Sequence, residues 1–208
     1  MSMIARNNSG SSIKKLESGV YVAISSAIID LGLQDNKNFN KVQRKFMLIW
    51  NVVGEEVEID GELLPRTISK EYSYSLHDKS TLRKDLQAWR NKPFTEEELK
   101  GFNLLKILNK PCQMQIILEE KNGNKYNNIS SIMALNKGQE VKQLDVGEYY
   151  HFDMEDQTTW DKWNRIPEWI QNKIKLANNF ESSNLKRYIE TGEYNTTEIT
   201  VQDDDLPF

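Results

Sequence analysis

Between residues 66 and 90 the apolar side chains change their spacing from two to helical, and that change restricts the chain to a few architectures. From Arg66 to Leu76, Ile68, Lys70, Tyr72, Tyr74 and Leu76 alternate with Ser69, Glu71, Ser73 and Ser75, the pattern of a strand with two different faces. Just beyond, Leu82, Leu86 and Trp89 recur at helical spacing, with Asp78 or Ser80 placed to cap the orphan amides of the helix start. Two strands precede this switch. Gly19 to Leu31 is rich in Val and Ile and ends in a turn around Gly32. Lys41 to Val53 sets Val42, Arg44, Phe46, Leu48 and Trp50 on one face and Lys45, Met47 and Ile49 on the other.

After the first helix, Thr95 and Glu98 form a capping box, Phe94 and Leu99 its hydrophobic staple, and Gly101 can close the short helix. Strands return after Pro111. Cys112 to Glu120 and Lys125 to Leu135 flank Lys121, Asn122, Gly123 and Asn124, where the Asn-Gly pair favours a hairpin turn. The order β-β-β-α-β-β is that of the OB-fold: an all-β, five-stranded Greek-key barrel with a helical segment between strands three and four. Short C-terminal helices are expected to be added to it.

The chain of 208 residues is 38% hydrophobic and 28% charged, enough for a real core. No apolar run approaches the roughly 20 residues that a membrane-spanning helix needs, and residues 1–12 are polar rather than a secretory signal. With a single cysteine, Cys112, an internal disulfide and a thiolate metal cluster are both excluded, so a reducing, cytoplasmic setting is expected. The net charge of -4 divides unevenly: residues 1–150 carry +2 and residues 151–208 carry -6. A mildly basic body can therefore meet phosphates locally although the whole chain is acidic, because screening acts over roughly 10 Å.

Binding a single strand requires cations for phosphates and flat rings for bases. Lys70, Tyr72 and Tyr74 share one side of the third strand, and a lysine between Ile68 and Tyr72 marks that side as an exposed binding face or as a barrel rim; we expect the former. On the second strand Phe46 and Leu48 are expected to fill the core, whereas Trp50 either stacks a base or packs under the acidic stretch that follows. Arg44, Tyr21 and Tyr126 are further candidates. Arg83, Lys84 and Arg90, with Lys92 just beyond, lie off the apolar face of the helix and could line a phosphate path or form a solvated, self-paired face.

The run from Ile68 to Arg90 and the run from Pro93 to Phe102 resemble a bacteriophage family of OB-fold single-stranded DNA-binding proteins. The blocks Gly19-Val20-Tyr21, Ile29-Asp30-Leu31-Gly32, Gly123-Asn124-Lys125-Tyr126 and Pro167-Glu168-Trp169-Ile170 resemble it in the same order, over residues 13–176. The resemblance implies sequence-tolerant binding of single-stranded DNA in phage replication or recombination, inside a bacterial host cell. The last six residues, Asp203, Asp204, Asp205, Leu206, Pro207 and Phe208, are similar to the acidic tip of bacterial and phage single-strand-binding proteins. That likeness implies docking of replication or recombination proteins, and an apolar tip beside a triple aspartate is itself a peptide ligand in search of a pocket.

The expected organisation is a flexible N-terminus over residues 1–12, a DNA-binding barrel over 13–153, a helical appendage over 154–177, a linker over 178–202 and the partner-binding tip over 203–208. Trp160, Trp163, Trp169, Ile170 and Ile174 suggest amphipathic helices that cover the barrel or form a homodimer surface, with Pro167 in a first turn. Catalysis finds little support. His77 and His151 stand in no metal-binding spacing, and neither a phosphate loop nor a nucleophile elbow occurs, so the expectation is a non-enzymatic protein without metal or cofactor. Two rivals stand beside it: an OB-type adaptor or inhibitor that binds only protein, with Tyr72 and Tyr74 packed inward, and a nuclease served by Glu55, Glu56, Glu58, Asp60 and Glu62.

Overall fold

In a computed structural model, which describes residues 15–36, 40–59 and 61–193, the chain is mostly β, with several helices added. The strands are β1 (Gly19–Asn36), β2 (Lys41–Ile59), β3 (Glu62–Ser73), β4 (Pro111–Lys121), β5 (Asn124–Met133) and β6 (Tyr150–Phe152). Five of them form a curled sheet in the order β3-β2-β1-β4-β5, and β6 pairs with β1 off this path. Pairing of β1 with β4 is antiparallel from Gly19 opposite Ile116 to Ile24 opposite Pro111. β4 and β5 are joined as the Asn-Gly signal predicts, with Asn122 at φ 53° and Gly123 at φ 75°, both in the left-handed region that a tight hairpin needs.

The helical segment between β3 and β4 follows its capping signals closely. α1 (Thr81–Arg90) is capped by Ser80, whose hydroxyl accepts from the Arg83 amide at 3.2 Å, and it buries Leu82, Leu86 and Trp89. In α2 (Glu96–Lys100) both halves of the Thr95–Glu98 capping box are formed. Gly101 ends α2 in an extended conformation rather than a left-handed one, so its role is not the glycine closure that the sequence suggests. A short 3-10 turn, Leu104–Ile107, completes the segment. α1 packs against both β3 and β5, the two ends of the strand path.

The described residues divide into two compact units. The first holds those up to Ile29 together with Phe46–His151, and the second holds Asp30–Lys45 with those from Phe152 onward. In the first unit one cluster joins Phe46, Leu48, Trp50 and Val52 of β2, Ile68 and Tyr72 of β3, the apolar face of α1 and Cys112, Met114 and Ile116 of β4. Met47 and Ile49, on the other face of β2, are buried as well, so this strand carries an apolar run instead of a solvated face.

The second unit contains a nine-residue 3-10 stretch (Gln157–Arg165), α3 (Glu168–Lys175) and α4 (Asn184–Thr191). Of the tryptophans expected here, Trp160 and Trp163 are buried, whereas Trp169 is 54% exposed. α4 lies within the stretch read from sequence as linker; Ser183 caps it and Leu185 is fully buried. Residues 194–202 and the tip at 203–208 lie outside the described residues, as do residues 1–14. No helix among the described residues is long and apolar enough to cross a membrane.

Gly32 does not end the first strand. β1 continues through it to Asn36, with Gly32 at φ +69°, and a Cβ there would meet Met154 Sδ at 2.6 Å, Asn179 Oδ1 at 2.7 Å and Ala177 Cβ at 2.9 Å. The close approach lets Asn179 accept from the Leu33 amide at 2.9 Å, while the Asn178 amide donates to the Leu33 carbonyl at 2.8 Å. Gly32→Ala combines a backbone penalty with three steric conflicts and is expected to cost on the order of 2–3 kcal/mol. Equilibrium denaturation in urea checks this; a midpoint unchanged from wild type would disprove the packing role.

Candidate nucleic-acid interface

Phe46, Trp50 and Tyr72 fall on the core side of their strands because α1 crosses that side and closes it. Phe46 and Tyr72 stack with ring centroids 5.6 Å apart, and Trp50 meets Trp89 of α1 at 6.0 Å. Trp50 is fully buried and Tyr72 nearly so, which leaves neither ring a face for a base. The expectation that Lys70 and Tyr72 mark an exposed binding face is therefore corrected. Asp85 of α1 accepts from the Lys70 ammonium and from the Tyr72 hydroxyl, each at 2.7 Å, and the ammonium also lies 5.5 Å from the centre of the Tyr72 ring. Asp85 is thus the acceptor that lets a lysine and a tyrosine sit at the edge of an apolar core.

Tyr74 has a different position. It lies one residue past the end of β3, rests its ring on Phe46 at 4.8 Å and stays 44% exposed. It borders a cleft of about 240 Å³ with Leu76, Leu82, Leu99, Phe102 and Leu104, and Lys100 stands at the same cleft. Phe102, Leu104 and Lys100 were not singled out from sequence, although Phe102 ends the run that carries the family resemblance. Their signal was an aromatic and a cation bracketing Gly101, beside which a Cβ would meet nothing within 4 Å.

The helix cations separate by partner. Arg83 donates to Gln87 Oε1 at 3.0 Å and to the Leu76 carbonyl at 3.2 Å, a structural use. Lys84 is exposed and makes no ion pair among the described residues. Arg90 lies over the rings of Phe94 and Phe102, 4.5 and 4.8 Å from their centres, and is paired with Glu98. The backbone amide of Thr95, followed by the Arg90 guanidinium, holds the Glu98 carboxyl below its usual range. Lys92 follows Asn91, whose left-handed conformation (φ 51°) closes α1, and the Lys92 amide returns to the Gln87 carbonyl at 3.2 Å.

Tyr126 on β5 is 48% exposed, opposite Glu119 of β4. Tyr21 is half-buried, and its hydroxyl donates to the Glu17 carbonyl at 2.9 Å. Arg44 belongs to the second unit and is engaged there. It reaches both oxygens of Asp30 at 3.1 Å, Asp153 at 2.9 Å and Glu155 at 3.0 Å. Its hydrogen bond to Asp30 holds it firmly protonated, while burial pushes the Asp30 carboxyl up from its ordinary value. Arg44 is thus the hub of an ion-pair cluster, and three carboxylates around one guanidinium weaken its attraction for a phosphate.

What the first unit brings together is thus Tyr74, Phe102 and Lys100 around an apolar cleft, with Arg90 and Lys92 lining a second concavity that Phe102 shares. Rings that offer a face, next to cations, are the elements that stack bases and neutralise phosphates.

Burial, and then the Asp85 carboxylate, push the Tyr72 phenol well above its ordinary value. The unfolded chain releases that proton near pH 10 while the folded chain keeps it, so stability falls as pH rises above about 10. Tyr72→Phe is expected to flatten this alkaline loss. Asp85→Ala strands both donors and is expected to cost about 1–3 kcal/mol at neutral pH. Urea denaturation across the pH range tests both, and an alkaline limb unchanged in Tyr72→Phe would show that the phenol does not cause it. Compared with protein-family models and with curated proteins, the chain matches none.

Proposed function

We propose that the chain is a single-stranded DNA-binding protein of OB type, which coats single strands without sequence preference and recruits partner proteins through Asp203–Phe208. The strand order supports the barrel reading. An OB-fold is a five-stranded, partly open Greek-key barrel, with a helix between strands three and four that closes one end of its core. Here β1 lies between β2 and β4, and α1 packs against both β3 and β5. The observation that carries the binding reading is the half-exposed Tyr74 ring beside Phe102, Lys100 and the cations at the end of α1. An inward pair of tyrosines would leave no base platform; only one of the two is inward.

A protein-only adaptor is the second reading, and two observations favour it. Tyr72 and Trp50 are spent in the core, and the outer part of the β2–β3 arm exposes Val53, Ile59, Leu63 and Leu64, with Leu63 at 67%. Such an apolar edge suits a protein partner better than a phosphate backbone.

Fluorescence anisotropy of labelled poly-dT at two salt concentrations separates the two. Single-strand binding should be saturable, should weaken as salt rises and should resist competition by duplex. Tyr74→Ala should lose about 1–3 kcal/mol of affinity, the worth of one stacked base, whereas Tyr72→Phe should bind like wild type. Folded protein that binds no poly-dT would put the adaptor first. Removal of Asp203–Phe208 should leave poly-dT affinity equal or slightly higher and abolish partner capture; partners retained by the truncated chain would refute the role of the tip.

A further inference from the structure

A second pocket, of about 410 Å³, shares Phe102 with the Tyr74 cleft and has a cationic rim. It is lined by Arg90, Lys92, Lys106 and Lys110 with Glu98 as the only carboxylate, over an apolar floor that includes Phe102. Glu98 is already committed to Arg90 and to the Thr95 amide, and Lys92, Lys106 and Lys110 form no ion pair among the described residues. Three lysines lining one concavity add like charge to it, which a fold tolerates more readily when an anion settles among them.

The lysines are held there by separate devices. Lys92 is fixed by the closure of α1, and Lys106 belongs to the 3-10 turn that Asn103 caps through the Leu105 amide at 2.9 Å. Lys110 is fixed by Ser25, a fully buried serine of β1. Ser25 Oγ donates to the Ile107 carbonyl and accepts from the Lys110 amide at 3.0 Å, its backbone amide donates to the Lys110 carbonyl at 3.2 Å, and its carbonyl accepts from the Asn109 amide at 2.9 Å. A buried serine with four bonds to one connection, two through its hydroxyl and two through its backbone, fixes the backbone of that wall of the pocket.

A second observation points to a ligand. Arg90 is only 12% exposed along its side chain and is held against two aromatic rings, yet its Nη1 is buried with no hydrogen-bond partner. A guanidinium so oriented, with one donor unspent, matches an oxyanion in charge and in planar geometry. Nη1 is closed to solvent, so an incoming oxygen reaches it only with a small adjustment of the side chains around it.

We propose that this pocket is a phosphate-binding site, with Lys92, Lys106 and Lys110 as its rim and Arg90 as its base. The inference stands on the pocket itself and does not need the poly-dT reading to hold. The phosphate can belong to a nucleic-acid strand or to a small phosphate-bearing molecule, and the chemistry is the same.

The first arm of the test is calorimetric titration of the full chain, in a phosphate-free buffer, with sodium phosphate and then pyrophosphate against sodium chloride of equal ionic strength. Saturable binding is expected, weakened about tenfold or more in Lys106→Ala/Lys110→Ala, whose ammonium groups make no ion pair among the described residues, and unchanged in Lys84→Ala, an exposed cation outside the pocket. No saturable binding, or equal weakening by Lys84→Ala, would overturn the site in favour of diffuse charge. The second arm compares dT oligonucleotides bearing a 5′-phosphate or a 5′-hydroxyl. A preference for the phosphorylated strand that the double variant loses identifies a strand terminus, and equal weakening of both strands identifies an internal phosphodiester. Phosphate binding lost in the variant with poly-dT affinity intact identifies a free phosphate ligand. Phosphate binding without any poly-dT binding upholds the pocket and refutes only the proposed function.

Discussion

The contact on which the first unit depends is the carboxylate of Asp85, shared by Lys70 and Tyr72. α1 is amphipathic, and hydrophobic burial alone would hold it to the sheet without fixing its rotation or its register. One acceptor that serves two donors on β3 supplies that specificity, since a turn of the helix in either direction would leave an ammonium and a phenol desolvated and unpaired. From the placement of α1 follow the burial of Trp50 under Trp89, the position of Arg90 at the helix end and the sharing of Phe102 between two concavities.

Much of this architecture is legible in the sequence because its signals are local. The period change after Leu76, the capping box at Thr95 and the Asn-Gly turn each name their element within a few residues, and each element forms where they place it. The core side of β2 was legible from Phe46 and Leu48, but that of β3 was not, because it depends on a helix that returns 15 residues later with its own carboxylate. A lysine in an alternating strand speaks for solvent only until a partner is known. Likewise Gly32 reads locally as a turn, whereas its reason lies in Met154, Ala177 and Asn179, more than a hundred residues away in the chain.

The candidate site follows the same division. Tyr74, Arg90 and Lys92 could be selected from composition and spacing, since a ring near cations is the recurring requirement for single strands. Phe102, Lys106 and Lys110 could not, for each stands in the short irregular segment between α2 and β4, where Asn103 caps the turn that holds Lys106 and Ser25 of β1 fixes the backbone at Lys110. Arg44 failed in the opposite way: its sequence neighbours are basic and apolar, and the three acids that claim it come from other stretches of the chain.

The second unit is built from two separated stretches, and this bears on how the chain comes off the ribosome. Arg44 is 14 residues from Asp30 but 109 from Asp153, so the first partner is at hand at once and the second is not yet made. At about 5–20 residues per second the wait is on the order of ten seconds. The pairing with Asp30 lies within the first stretch, whereas the bonds to Asp153 and Glu155 can form only once the second stretch has been made, so the fourfold acid-arginine cluster is among the last features of the fold to be completed.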